Sequence, residues 1–243
     1  MLKPMTRALK TTFSTGIFAL AASGIANAQD VTVSVQNLTQ GIYFTPILIA
    51  AHGADSHLFQ SGQAASASLQ AMAEGGDISG LATDLAALSA QSVENPAGGL
   101  LGPAQSATAT TITTDGTANT HLSIVAMMLP TNDGFIGLDG WEIPTAAGTY
   151  TLTLNAYDAG TEANDELINS DTGGVPGTAG IPAAPGGDAG TGGTGVTSQE
   201  TNSMVHIHRG TLGDLNTTGG VSDLDSRTHR WLNPVARVTV VVE

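Results

Sequence analysis

Val31, Val33 and Val35 alternate with Thr32, Ser34 and Gln36, the two-residue period of a strand with one buried face. A turn over 37–41 follows. Residues 42–50 resume as a second extended run carrying Pro46, which puts that run at a sheet edge or bends it. The period then changes. Ala65, Leu69 and Met72 recur at helical spacing, with Ser61 available as N-cap and Gly75-Gly76 as the stop. A second short helix carries Leu81, Leu85 and Leu88 on one face, is capped by Asp77 or Ser79, and ends before Pro96 and Gly98-Gly99. Strand patterns return over 108–114, 121–128, 135–138 and 150–156, the last placing Tyr150, Leu152, Leu154 and Ala156 on one face. Segments 204–208 and 235–242 close the sheet. Between strands, 170–202 is rich in Gly, Pro, Thr and Ala, has almost nothing to bury, and is expected as a long mobile loop. The whole predicts an all-β fold, an antiparallel β-sandwich of about eight strands, with two short helices across one end or edge of the sheets.

Residues 1–28 carry the pattern of a secretory signal peptide. Lys3, Arg7 and Lys10 precede a mostly apolar and small stretch over 11–25, and Ala26-Asn27-Ala28 offers a small-x-small cleavage site. The apolar run around 17–22 is too short, and too interrupted by Gly16 and Gly24, to span a bilayer as a helix, and no later stretch is apolar for long enough. The expected mature domain is 29–243, secreted or periplasmic, with no lipobox cysteine for a lipid anchor. With no cysteine in the chain, disulfides and thiolate metal sites are excluded. Aromatic residues are 4% of the chain, so Val, Ile, Leu and Ala must form the core. Loss of the three N-terminal cations leaves no lysine and only Arg209, Arg227, Arg230 and Arg237 against 21 acidic residues. The formal charge, −14 for the full chain, becomes three units more negative. Such a surface repels nucleic acid and anionic lipid, and favours metal cations as partners.

Three segments carry a family resemblance. LFQSGQAASASLQAMAEGGD over 58–77 is similar to the LF..G..AS..L..LAE.GD stretch of the spondin N-terminal domain family. PTNDGFIG over 130–137 resembles the family's PSPDWFVG, with Gly134 in place of its Trp, and YDAGTE over 157–162 resembles DAGTD with Glu162 for the last Asp. The order and rough spacing of all three agree. The cysteines and thrombospondin-type repeats of animal relatives are missing, so matrix or integrin roles do not carry over. The resemblance implies an eight-stranded antiparallel sandwich similar to calcium-dependent membrane-binding sandwiches. It also implies Ca2+ at the loops of one end and an adhesion-type binding role.

Calcium takes about six to eight oxygens, largely from carboxylates and carbonyls on flexible loops. Two acidic loops qualify, 132–134 and 158–166, and in a sandwich both can sit at one end. Asp133, Asp158 and Glu162 fall on the family-matching positions, and Asp165 adds a local carboxylate. Turn chemistry alone also accounts for both loops. Asp139 can support the same cluster or serve a turn before Trp141. His206 and His208, two apart on a strand, share a face as strand metal pairs do, but no third ligand lies at a fixed spacing. His52 and His57 sit in the loop before the first helix. Asp214, Asp223 and Asp225 form a further acidic loop in which Arg227 and Arg230 can make local ion pairs.

No Gly-x-Ser-x-Gly, phosphate-cradling loop or His-Glu-x-x-His occurs, so the chain reads as a binding module and not an enzyme. The surface or extracellular ligand stays unidentified at this level. Two other readings stand beside it: a carboxylate-dependent hydrolase of extracellular glycans, for which no acid pair is distinguished, and a metal-free structural sandwich.

Overall fold

Ten strands and two helices make up the computed structural model, which describes residues 29–114, 116–199 and 201–243. The proposed signal segment lies outside the described residues. The strands are β1 (Asp30–Asn37), β2 (Tyr43–Phe44), β3 (Leu48–His52), β4 (Gln91–Glu94), β5 (Thr110–Thr113), β6 (His121–Leu129), β7 (Gly134–Glu142), β8 (Gly148–Asp158), β9 (His206–Ile207) and β10 (Ala236–Val242). The helices are α1 (Ala67–Gly75) and α2 (Ser79–Ala87). Every ladder between these strands is antiparallel, in the order β4-β3-β6-β7-β8-β10-β1-β5, with β2 added to β6 and β9 to β8. The sheet curls into a barrel-like sandwich, the all-β architecture expected.

Strict alternation appears where only one face is covered. In β1 the three valines are buried and Thr32, Ser34 and Gln36 are not, and β10 repeats this with Val238, Val240 and Val242. These side chains meet Ile49, Ile124, Met128, Ile136 and Leu154 in the main core. Alternation fails in β3 and β6, which are apolar on both faces. A strand buried on both sides reads as a continuous apolar run. Leu48, Ala50, Val125 and Met127 point away from the main core, and Leu69 and Met72 of α1 with Leu81 and Leu85 of α2 pack over them. The helices therefore cover the outer face of β3 and β6, not an end or edge of the sandwich, because that face is too apolar to leave in water.

Several boundaries differ from expectation. Pro46 interrupts the 42–50 run between β2 and β3, so the bend is real, but β3 lies inside the sheet between β4 and β6. Strand β4 has only one apolar residue, Val93, and gives no periodic signal. The cap of α1 is Ser66, not Ser61: its hydroxyl accepts the Leu69 amide at 3.1 Å. At α2, Asp77 accepts the Ser79 amide at 2.9 Å; the Ser79 side chain first and this amide second hold its carboxyl below the usual range, and Leu88 lies beyond the packed face, exposed. Two glycines are required by space. Gly76 ends α1 at φ 73°, and a Cβ there would stand 2.9 Å from Thr45. A Cβ on Gly137 would lie 2.5 Å from the Phe59 ring, which packs edge-on against Phe135 at 5.1 Å. Replacing Ser66 by Ala removes one N-cap hydrogen bond. It should lower stability by about 1 kcal/mol, seen as a lower urea midpoint at unchanged slope.

Among its described residues the Gly/Pro-rich segment 170–202 contains no strand or helix, and hydrogen bonds connect it to the rest of the fold. Ile168 bridges Ile181, which is fully buried, and the Ile181 amide donates to Leu167 at 2.8 Å. The buried Glu74 accepts the Gly177 amide at 2.7 Å, and Asp223 accepts the Gly193 amide at 2.9 Å. Backbone amides without side chains around them can approach carboxylates closely, and this suits a glycine-rich composition.

Candidate cation site at the loop end

The β7–β8 ladder pairs Gly134 with Asp158, so the loop before β7 and the loop after β8 emerge side by side. The first loop is folded on Thr131, whose hydroxyl donates to the Met128 carbonyl at 2.6 Å and accepts the Gly134 amide at 3.0 Å. A Cβ at Gly134 would meet that hydroxyl at 2.7 Å and the His208 ring at 3.1 Å, so this position admits only glycine here. The Trp of the resembling motif has no room.

Asp133 is fully buried at this junction. Its Oδ2 accepts the amides of Thr161 at 2.8 Å and Glu162 at 3.2 Å, and the Thr161 hydroxyl at 3.2 Å. Its Oδ1 has no hydrogen-bond partner among the described residues. Burial and then the charge of Asp158 push its pKa up to about 7, against the pull of those donors. Glu162 is in the same position. Oε2 accepts the Gly180 amide at 3.0 Å and the Asn132 amide group at 3.3 Å, while Oε1 is buried without a partner. Burial raises this carboxyl to about 8, with Glu74 and Asp133 adding like charge.

Asp158, also buried, accepts the Gly160 amide at 2.9 Å and the Asn164 side chain at 2.7 Å, with His206 Nε2 at 3.7 Å. Asp165 is half-buried and accepts from Asn132 at 2.8 Å and from the Leu167 amide at 3.0 Å. All four predicted residues are thus brought to one rim. Most of their oxygens, however, are directed at N–H donors. Among the described residues no three His, Asp or Glu side chains form a ready metal cluster. The buried carboxylate oxygens without a donor are Asp133 Oδ1 and Glu162 Oε1, and the half-buried Asp165 uses only its Oδ1. Calcium commonly completes its shell with carbonyl, amide and water oxygens, so these two buried carboxyls, once deprotonated, fit its chemistry as the charged part of a mixed ligand set.

Asn132 joins the rim together, donating to Glu162 and Asp165 and accepting the Glu166 amide at 3.2 Å. It stood in the predicted turn but carried no distinguishing signal. Asp139 does not join the rim. It bonds His57 Nδ1 and accepts the Leu58 amide at 2.8 Å, beside Ser123, whose hydroxyl meets His52 Nε2 at 2.6 Å. His52 itself ends β3 and is buried, so it is not a loop residue. The two strand histidines separate: His206 faces Asp158, and His208 is buried. In the third acidic loop Arg227 pairs with Asp225, whose carboxyl is held down to about 2, whereas Arg230 makes no ion pair among the described residues.

The fold is thus an antiparallel β-sandwich with buried and half-buried carboxylates gathered in the loops of one end. The profile of the Spondin_N family matches residues 36–176, more than half of the chain and inclusive of all four carboxylates, and the chain belongs to that family. No curated protein matches it. Among the described residues no helix is long and apolar enough to cross a membrane.

Proposed function

We propose that the chain is an exported, non-enzymatic binding module of adhesion type, whose loop end takes up calcium and so becomes ordered for a ligand on an extracellular surface. The observation that carries this is the pair of buried carboxylate oxygens, Asp133 Oδ1 and Glu162 Oε1, with no donor to neutralise them. Buried anions without partners are costly, and a bound cation relieves that cost. The N-terminal signal pattern and the acidity of the body support export and cation uptake. Raised pKa values at Asp133 and Glu162 would also suit acid–base catalysis on glycans. Burial of both groups favours the binding reading, because a substrate needs direct access to them.

Calorimetric titration of calcium into chelator-treated protein is the test. One saturable site with a Kd of about 10⁻⁴–10⁻³ M, the range of extracellular modules, is expected. Asp133→Asn should abolish it while the far-ultraviolet dichroism stays that of the parent. Absence of heat at millimolar calcium would leave the metal-free structural sandwich.

A further inference from the structure

Beyond residue 176, where the family match ends, a cleft of about 460 Å³ is lined by Arg209, Leu212, Arg230, Trp231 and Leu232. Of the four arginines that follow the signal segment, Arg227 is paired with Asp225, and Arg237 stands on β10 between Gln36 and Thr153. The other two face this cleft. Arg209 gives one N–H to the Asn164 carbonyl at 3.2 Å, and Arg230 is without an ion pair among the described residues. In a chain with 21 acidic residues and seven basic ones, carboxylates are the commonest neighbours a guanidinium can find. Two arginines converging on a cleft with no carboxylate in its lining mark a place complementary to an anion from outside.

The walls are apolar. Leu232 is 87% exposed and Leu212 48%, whereas Trp231 at 8% forms the floor, its ring 5.0 Å from that of His208. Trp231 Nε1 and His208 Nε2 are both buried without partners. The Gly210 amide donates to His208 Nδ1 at 3.0 Å, so the ring proton is on Nε2, and burial keeps the ring neutral. Both partnerless atoms are therefore N–H donors.

We propose that this cleft binds an amphiphilic anion: a single carboxylate or phosphate head held by Arg209 and Arg230, with an apolar body along Leu212, Leu232 and Trp231. Guanidinium forks match such oxyanions with paired hydrogen bonds. The volume lies within the range of about 300–1,000 Å³ typical of small-molecule sites. An inorganic anion would leave both leucines in water. An acidic sugar would stack on an open aromatic face, which Trp231 does not offer. None of the four rim carboxylates lines the cleft.

Trp141→Phe leaves Trp231 as the only tryptophan and thus as a reporter in the cleft. In that background, octanoate or octyl phosphate should shift the emission saturably, in calcium and in chelator alike, and the tighter of the two identifies the head group. Arg230→Gln should weaken binding about tenfold, the loss of one charge-assisted contact, and Arg237→Gln should not. The proposal is overturned if octanol or acetate binds as well as octanoate, if Arg230→Gln leaves the affinity unchanged, or if no saturable shift occurs. Failure of calcium binding would leave this result untouched, so the two proposals fall separately.

Discussion

Calcium at a hundredfold excess over its Kd is expected to raise the thermal midpoint of chelator-treated protein by about 5–10 °C near pH 8, and by far less near pH 5. Binding at that excess contributes about 2.7 kcal/mol, and a domain of this length gains roughly 2–4 °C per kcal/mol. The pH dependence follows from the two buried carboxyls. Asp133 and Glu162 have folded-state pKa values of about 7 and about 8, above their ordinary 3.8 and 4.5. Between those limits the folded protein binds more protons than the unfolded chain, so stability falls as pH rises. The contribution is complete below about pH 4 and is gone above about pH 8. Without metal, the midpoint should therefore decline across that window. A cation takes the place of the protons, so its stabilising effect should grow as the protons leave. A shift of the same size at both pH values would place the cation on exposed carboxylates such as Asp171. No shift at either would remove calcium from the account.

Much of the architecture is written in short-range pattern. The valines of β1 and β10 announce their strands because one face is buried and the other wet, and period-2 alternation records that difference. The same logic explains what was hidden. Strands β3 and β6 are apolar on both faces, so alternation could not show that helices lie over them. Strand β4 belongs to the sheet through backbone pairing with β3, and its side chains leave no trace of it. At the site, the carboxylates Asp133, Asp158 and Glu162 were found because motif segments surround them. The contacts of Asn132 and His206 with these carboxylates, and the amide of Gly180, were not, since they depend on pairings across tens of residues that no local spacing encodes. A glycine-rich stretch with little to bury reads as loose. Glu74, Glu162 and Asp223 hold this one through its backbone amides, which composition does not reveal.

Glu166→Ala should destabilise the domain by about 3–5 kcal/mol, an effect on the scale of a lost buried network. Glu166 lies in the acidic loop but was not singled out, and its carboxylate turns out to be buried inward. It accepts the amides of Leu212 and Gly213 and the Ser222 hydroxyl, the last at 2.6 Å, so one side chain from the loop after β8 ties together the long connection between β9 and β10. Each donor left buried and unmet costs about 1–3 kcal/mol, with the Leu212 amide at the low end because its residue is half exposed. The backbone agrees with such a role. Glu166 has φ 58°, a left-handed conformation that costs a residue with a Cβ about 1–2 kcal/mol, and the three bonds offset that strain. A comparison of two variants separates the terms. Glu166→Gly loses the same acceptor but relieves the backbone, and should be about 1 kcal/mol more stable than Glu166→Ala. Urea midpoints measure both. Because the lost contacts anchor residues 212–222, limited proteolysis of either variant should cut first within 209–232. Cleavage elsewhere, or a midpoint unchanged from the parent, would show that this carboxylate does not hold the connection in place.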